Sequence, residues 1–173
     1  LMTENGTTVP VTRHVAFVGT AGGVGTTRTV VETAAALARA GRAVHVLDAA
    51  YATQGLARYR HGRIDPDVTA VCLEEASLVA ASDRLDVDAA GEVTLTPARA
   101  PFERVARAKA TEPARRLGDL CAEAAENADH VLVDVPPVAA NQHVAAVRTA
   151  DRIVAVAAAD GRGGDALRRT VDT

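Results

Sequence analysis

Three short runs of this chain are largely apolar without strict alternation: His14 to Gly19 (HVAFVG), Arg42 to Asp48 (RAVHVLD) and His130 to Asp134 (HVLVD). Arg152 to Ala157 (RIVAVA) reads as a further strand. A strand with one face in water alternates; a strand that does not is covered on both faces, the usual condition of a parallel sheet. The stretches between the runs carry apolar residues at helical spacing. Between Thr26 and Ala40 these are Val30, Ala34, Leu37 and Ala40, and Gly41 follows where a helix C′ glycine belongs. Strand, glycine loop, helix and strand in succession over residues 14–48 predict a right-handed, parallel βαβ unit. The chain therefore reads as α/β: a doubly wound, mainly parallel sheet with helices on both faces, the 14–19 strand central and the 42–48 and 130–134 strands near it.

The remaining segments fit that frame. Ala49 to Pro66 loosens into a polar loop containing Gly and Arg, and Asp67 to Ala81 reads as one helix burying Val68, Val71, Cys72, Leu78 and Val79. Arg84 to Thr96 reads as two short strands around Ala90-Gly91, or one strand with a ragged entry. Phe102 to Ala110 and Pro113 to Ala128 are predicted helices, the second with Thr111 as N-cap, and Pro136-Pro137 halts the 130–134 strand. Gln142 to Thr149 and the residues from Gly164 onward complete the helices. Residues 1–13 read as a polar, flexible lead-in, and 14–173 as a single domain, since 173 residues suit one core and not two.

Aromatic residues make up 2 % of the chain, so the core must be built from Ala, Val and Leu. The net charge of -3 argues against strong non-specific affinity for nucleic acid or anionic membrane, while leaving room for a local basic patch. No stretch approaches the roughly 20 apolar residues of a membrane span, and the expected location is the cytoplasm. Cys72 and Cys121 have neither redox nor metal spacing and read as reduced core thiols.

The segment from Gly19 to Thr27, GTAGGVGTT, joins the first strand to the first helix. Gly22, Gly23 and Gly25 are more glycine than a tight turn needs. Glycines there let backbone N–H groups turn inward beside a helix N-terminus and form an anion cradle from Gly22, Gly23, Val24, Gly25, Thr26, Thr27 and Arg28. Ligands of doubly wound sheets bind at the carboxyl ends of the strands, where this loop, Asp48 and Asp134 all fall.

The stretch Ala21-Gly-Gly-Val-Gly-Thr-Thr27 resembles the deviant Walker A motif of the MinD/ParA family, Lys-Gly-Gly-Val-Gly-Lys-Thr. The resemblance extends over residues 14–170. Val46-Leu-Asp48 with Ala49 to Leu56 (AAYATQGL) is similar to the family's second strand and first switch, and Val93 to Ala98 to its strand ending in Pro-Ala. Val131 to Pro137 (VLVDVPP) is similar to its Walker B-like strand and proline-rich second switch, and Ala150 to Val156 to the strand after it. The resemblance implies a P-loop fold that takes ATP or ADP with Mg²⁺, the metal served by Thr27, Asp48 and Asp134.

The departures from the family pattern fall on the chemistry. Ala21 stands at the signature lysine that reaches a partner's nucleotide, Thr26 at the Walker lysine, Thr20 at the first loop glycine, and Ala50 at the carboxylate that orients attacking water. Lys109 is the single lysine of the chain. Phosphoryl transfer is catalysed mainly by positioned positive charge, so efficient hydrolysis is not expected. Three readings stay open. The first is a degenerate MinD/ParA-like (pseudo-)ATPase, a regulatory or positioning module that acts through a protein partner or as a homodimer, with weak or absent nucleotide binding. In the second, Arg28 or a partner's residue replaces the lysines of a working ATPase. The third is an NAD(P)-binding Rossmann protein, because Gly19, Gly23 and Gly25 fit its loop and Asp48 follows at the spacing of a ribose-binding acid.

Overall fold

A computed structural model describes residues 13–171; the predicted lead-in lies almost wholly outside the described residues. The chain begins with β1 (His14–Gly19), a glycine loop and α1 (Thr26–Arg39). Val30, Val31, Ala34, Ala35 and Ala38 recur along one side of α1 and are buried. The helix stops at Ala40, and Gly41 follows with φ 80°, as its sequence position predicted. β2 (Ala43–Asp48) comes next, then a 3-10 turn (Leu56–Tyr59).

The expected single helix over 67–81 is two, α2 (Val68–Cys72) and α3 (Leu78–Ala81). Asp67 caps the first by accepting from Ala70 N, and Ser77 caps the second by accepting from Ala80 N. Between them Glu74 takes a left-handed φ of 59°, which no helix continues through. Leu78 remains buried, but Val79 turns outward and is 84 % exposed, contrary to the sequence reading.

β3 (Asp83–Leu85) and β4 (Glu92–Thr96) are the two short strands, paired antiparallel. α4 (Phe102–Ala108) and α5 (Thr111–Ala125) follow. Ala110, not Thr111, occupies the N-cap position of α5 and offers no side-chain bond. β5 (His130–Val135), α6 (Asn141–Thr149), β6 (Arg152–Val156) and α7 (Gly161–Val171) complete the described chain.

The strands form one six-stranded sheet in the order β3-β4-β2-β5-β1-β6, parallel apart from β3. β1 is not central, as the sequence reading had it. β5 lies between β1 and β2, and β2 and β5 are the middle pair. Local patterns identify a strand but carry no information about which distant strand will insert beside it.

The sheet is covered on both faces, as expected from the uninterrupted apolar runs. One core joins α1 to Phe17, Val44, Val46, Val93, Leu95 and Leu132; the other packs α2, α4, α5 and α6 on Ala16, Leu47, Val131, Val133 and Val135. Each fully buried Val or Leu contributes about 1.5–3 kcal/mol. β6 is different: four of its five residues are exposed, Ile153 by 56 %. No helix among the described residues is long and apolar enough to cross a membrane.

Candidate phosphate-binding site

β1 delivers the glycine loop to the carboxyl edge of the sheet. Gly23 and Gly25 hold φ of 78° and 89°, values that L side chains rarely adopt, and a Cβ on either would meet open space. Backbone conformation, not crowding, is therefore what asks for glycine here. Gly25 is the N-cap of α1 and no side chain caps that helix, so its first-turn N–H groups face outward from the positive end of the helix dipole.

In front of this helix end lies a cavity of about 410 Å³. Gly22, Gly23, Gly25, Thr26, Thr27 and Arg28 line one wall. Ala50, Thr53, Gly55, Arg58 and Tyr59 form another, and Asp134, Pro136 and Pro137 close the third. Of the residues singled out by sequence, Val24 and Asp48 are not in the lining. Larger hollows elsewhere, such as one of about 530 Å³ between α3 and the end of α5, lack any such loop.

Thr27 Oγ1 donates to Asp134 Oδ2 at 2.6 Å. Asp48 stands opposite Asp134 in the β2–β5 register but is wholly buried, and accepts from Ala50 N at 2.8 Å and Ala98 N at 3.1 Å. Burial, and then the nearness of Asp134, push the Asp48 carboxyl up to about 7; burial pushes Asp134 up to about 6, opposed by the Thr27 bond. Two neighbouring buried carboxyl groups resist losing both protons.

Hydroxyl and carboxylate oxygens suit Mg²⁺, which keeps water and phosphate oxygens among its ligands. No cluster of three or more His, Cys, Asp or Glu among the described residues is placed for a metal. The residues present would fit an ion that brings its own phosphate and water ligands, with Thr27 and Asp134 in the cavity lining to hold it and Asp48 outside that lining.

The positive side of the site is thin. The Thr26 hydroxyl lies against Gly19, where an added Cβ would come within 2.6 Å of it. Arg28 is 80 % exposed and stands 3.9 Å from Glu32 on the outer face of α1. Lys109 lies at the end of α4, its carbonyl accepting from Asn141.

Two residues absent from the sequence reading matter here. Arg58 lines the cavity from the 3-10 turn; its only advance signal was the basic run Arg58-Tyr-Arg-His-Gly-Arg63. His143, at the start of α6, places Nε2 3.0 Å from the Ala49 carbonyl and Nδ1 on the Val138 carbonyl, tying together the segments that leave β2 and β5. The dinucleotide reading needs Asp48 at a ribose, but Asp48 is wholly buried and outside the cavity lining. Tyr51 is buried too, its hydroxyl on Cys72 Sγ.

A search of curated proteins returns no match. Among solved structures the chain is similar to the septum site-determining protein MinD of Pyrococcus horikoshii OT3 in complex with Mg-ADP: TM-score 0.76, 18 % identity, 92 % of this chain and 65 % of that one. It is similar to cobyrinic acid a,c-diamide synthase of Mycobacterium smegmatis with an ATP analogue and magnesium: TM-score 0.75, 25 % identity, 94 % and 68 % covered. The kinase domain of the Escherichia coli tyrosine kinase ETK gives TM-score 0.80 at 15 % identity, with 95 % and 63 % covered. The chain thus spans about two thirds of the length of these structures. The family model described as an AAA domain matches residues 12–171, nearly the whole chain. This match places the chain in the AAA-domain family, and its glycine loop and mainly parallel sheet give it a P-loop fold similar to that of MinD.

Proposed function

We propose that this protein binds a nucleoside di- or triphosphate with Mg²⁺ weakly, hydrolyses it poorly or not at all, and works as a regulatory or positioning module through contacts with a protein partner or a second copy. The observation that carries the reading is a split within one cavity. The cradle is kept: left-handed Gly23 and Gly25, the uncapped start of α1, and Thr27 bonded to Asp134. The groups that would drive phosphoryl transfer are not, because Ala21, Thr26 and Ala50 hold the positions of two lysines and the water-orienting acid. Similar proteins solved with Mg-ADP, or with an ATP analogue and magnesium, support the ligand class. Bound Mg²⁺ would supply charge neutralisation between the phosphate oxygens. The chain's own contribution is backbone N–H donation from the loop and a hydroxyl and carboxylate held ready by Thr27 and Asp134.

The contact role is supported by what flanks the cavity. Gln54 Nε2 donates to the Ala100 carbonyl at 2.8 Å, linking the segment after β2 to the start of α4, where Phe102 is 88 % exposed. On the other side Val138 is 67 % exposed on the segment that His143 holds. Large apolar side chains in water beside a ligand site suit a surface that another chain covers.

Calorimetry with ATP, ADP and NAD, with and without Mg²⁺, tests the reading together with steady-state phosphate release. Weak, Mg²⁺-dependent binding of ATP and ADP without turnover is the expected result. Specific NAD binding would replace it with a dinucleotide reading. Phosphate release that disappears in Thr27→Ala would show true hydrolysis and overturn the catalytic half.

A further inference from the structure

From the geometry we infer that Arg58 is the cation of the phosphate cradle, taking from the far wall of the cavity the part that the loop residues cannot play. The inference rests on the nucleotide-phosphate reading above and names the residue that faces the terminal phosphates.

The position of Arg58 is fixed by its neighbours. It sits in the 3-10 turn Leu56–Tyr59, whose Leu56 is fully buried and whose Ala57 is 8 % exposed, so the turn is anchored in the α1-side core. Beyond it Arg60 pairs with Asp83 and fastens the exit. The turn begins against the glycine loop: a Cβ on Gly55 would come within 2.8 Å of Thr27 Oγ1 and 3.3 Å of Thr27 Cγ2. That close approach is open only to glycine, and it brings the turn onto the hydroxyl bonded to Asp134. Arg58 and the loop wall, Gly22 to Thr27, then face one cavity.

The charge of Arg58 is also uncommitted. Arg28, Arg60 and Arg63 each have a carboxylate within 4 Å, Glu32, Asp83 and Asp65 respectively. Arg58 has none among the described residues. The acid in the cavity lining is Asp134, already bonded to Thr27, so phosphates entering there meet backbone N–H groups and one free guanidinium. A guanidinium presents a planar fork that matches two phosphate oxygens, which a single ammonium does not. The ligand class that this arrangement calls for is a pair of linked phosphates, as in a nucleoside diphosphate or inorganic pyrophosphate, one offered to the cradle and the other to Arg58 across the same cavity.

The test is calorimetry on the full chain with ADP·Mg²⁺ and with inorganic pyrophosphate·Mg²⁺, comparing wild type with Arg58→Ala, Arg58→Lys and Arg63→Ala. Melting temperatures confirm that each variant is folded. Arg58→Ala is expected to weaken both ligands about ten- to a hundredfold, the span of a lost charge-assisted hydrogen bond. Arg58→Lys should recover part of the loss, and Arg63→Ala, outside the cavity lining, should stay within about twofold of wild type. Wild-type binding that Arg58→Ala leaves unchanged, or that Arg63→Ala weakens equally, overturns the assignment of Arg58 alone. Wild type that binds neither ligand at millimolar concentration overturns the cradle reading beneath it.

Discussion

Thr26 is the position where one substitution changes the site's electrostatics most directly. It opens α1 and lines the cavity, so a lysine there projects from the first helical turn beside the phosphates. Thr26→Lys is expected to raise ATP·Mg²⁺ affinity roughly ten- to a hundredfold, the worth of one charged hydrogen bond. Turnover should stay poor, because Ala50 still cannot orient water. Calorimetry on a folded variant decides it: no gain means that the loop cannot accept phosphate and its glycines serve the turn alone. At this scale the sequence was informative about what the loop holds and what it lacks, since both are read directly from GTAGGVGTT. It was silent on Arg58, whose place depends on how an aperiodic segment folds back on Thr27. It also left Asp48 and Asp134 equivalent, although one is sealed by backbone donors and the other reaches the cavity.

Among the elements, β2 carries the clearest pH signature. His45 is buried beneath α5, with Nε2 2.7 Å from Thr96 Oγ1, and burial pushes its imidazole down from 6.5 to about 4. Between those two values the unfolded chain takes up a proton that the folded chain refuses. Stability from this residue is therefore complete above pH 6.5 and is lost as pH falls toward 4. Asp48 and Asp134 act in the opposite direction: their folded pKa values lie above the ordinary 3.8, so they favour the fold at low pH and cost stability as pH rises toward 7. Wild type sums these effects, and the contrast with His45→Gln isolates one. The variant is expected to lose less stability than wild type between pH 6.5 and pH 4, by on the order of 2–3 kcal/mol in urea titrations. Parallel pH profiles for the two proteins would contradict this. Elements were legible where periodicity and burial agree, as in β1, α1, β2 and β5. The 67–81 stretch was misread because its apolar spacing runs on through a break set by Glu74 and by the caps at Asp67 and Ser77.

Across the whole molecule, burial divides the sheet unevenly. Leu132 in β5 is 1 % exposed and Ile153 in β6 is 56 % exposed, although both occupy apolar strand runs of similar appearance. Leu132→Ala is expected to cost about 2–5 kcal/mol by removing core volume. Ile153→Ala is expected to cost below about 1 kcal/mol. Equal losses in chemical denaturation would show that β6 is covered in solution. The α/β class and helices on both faces were legible, because unbroken apolar runs admit few other architectures; strand order was not, because it is a property of distant pairings.

That order also bears on how the protein can be made. Translation releases β1, the glycine loop, α1 and β2 before β5, yet β1 and β2 do not pair with each other; each pairs with β5. A nascent chain that has not yet exposed residues 130–135 holds the strands of its phosphate cradle without the strand that aligns them. Asp134, the partner of Thr27, arrives on that same late strand. The ribosome must therefore reach residues 130–135 before the site can assemble, and until then the early apolar strands depend on chaperones or on speed to avoid other pairings.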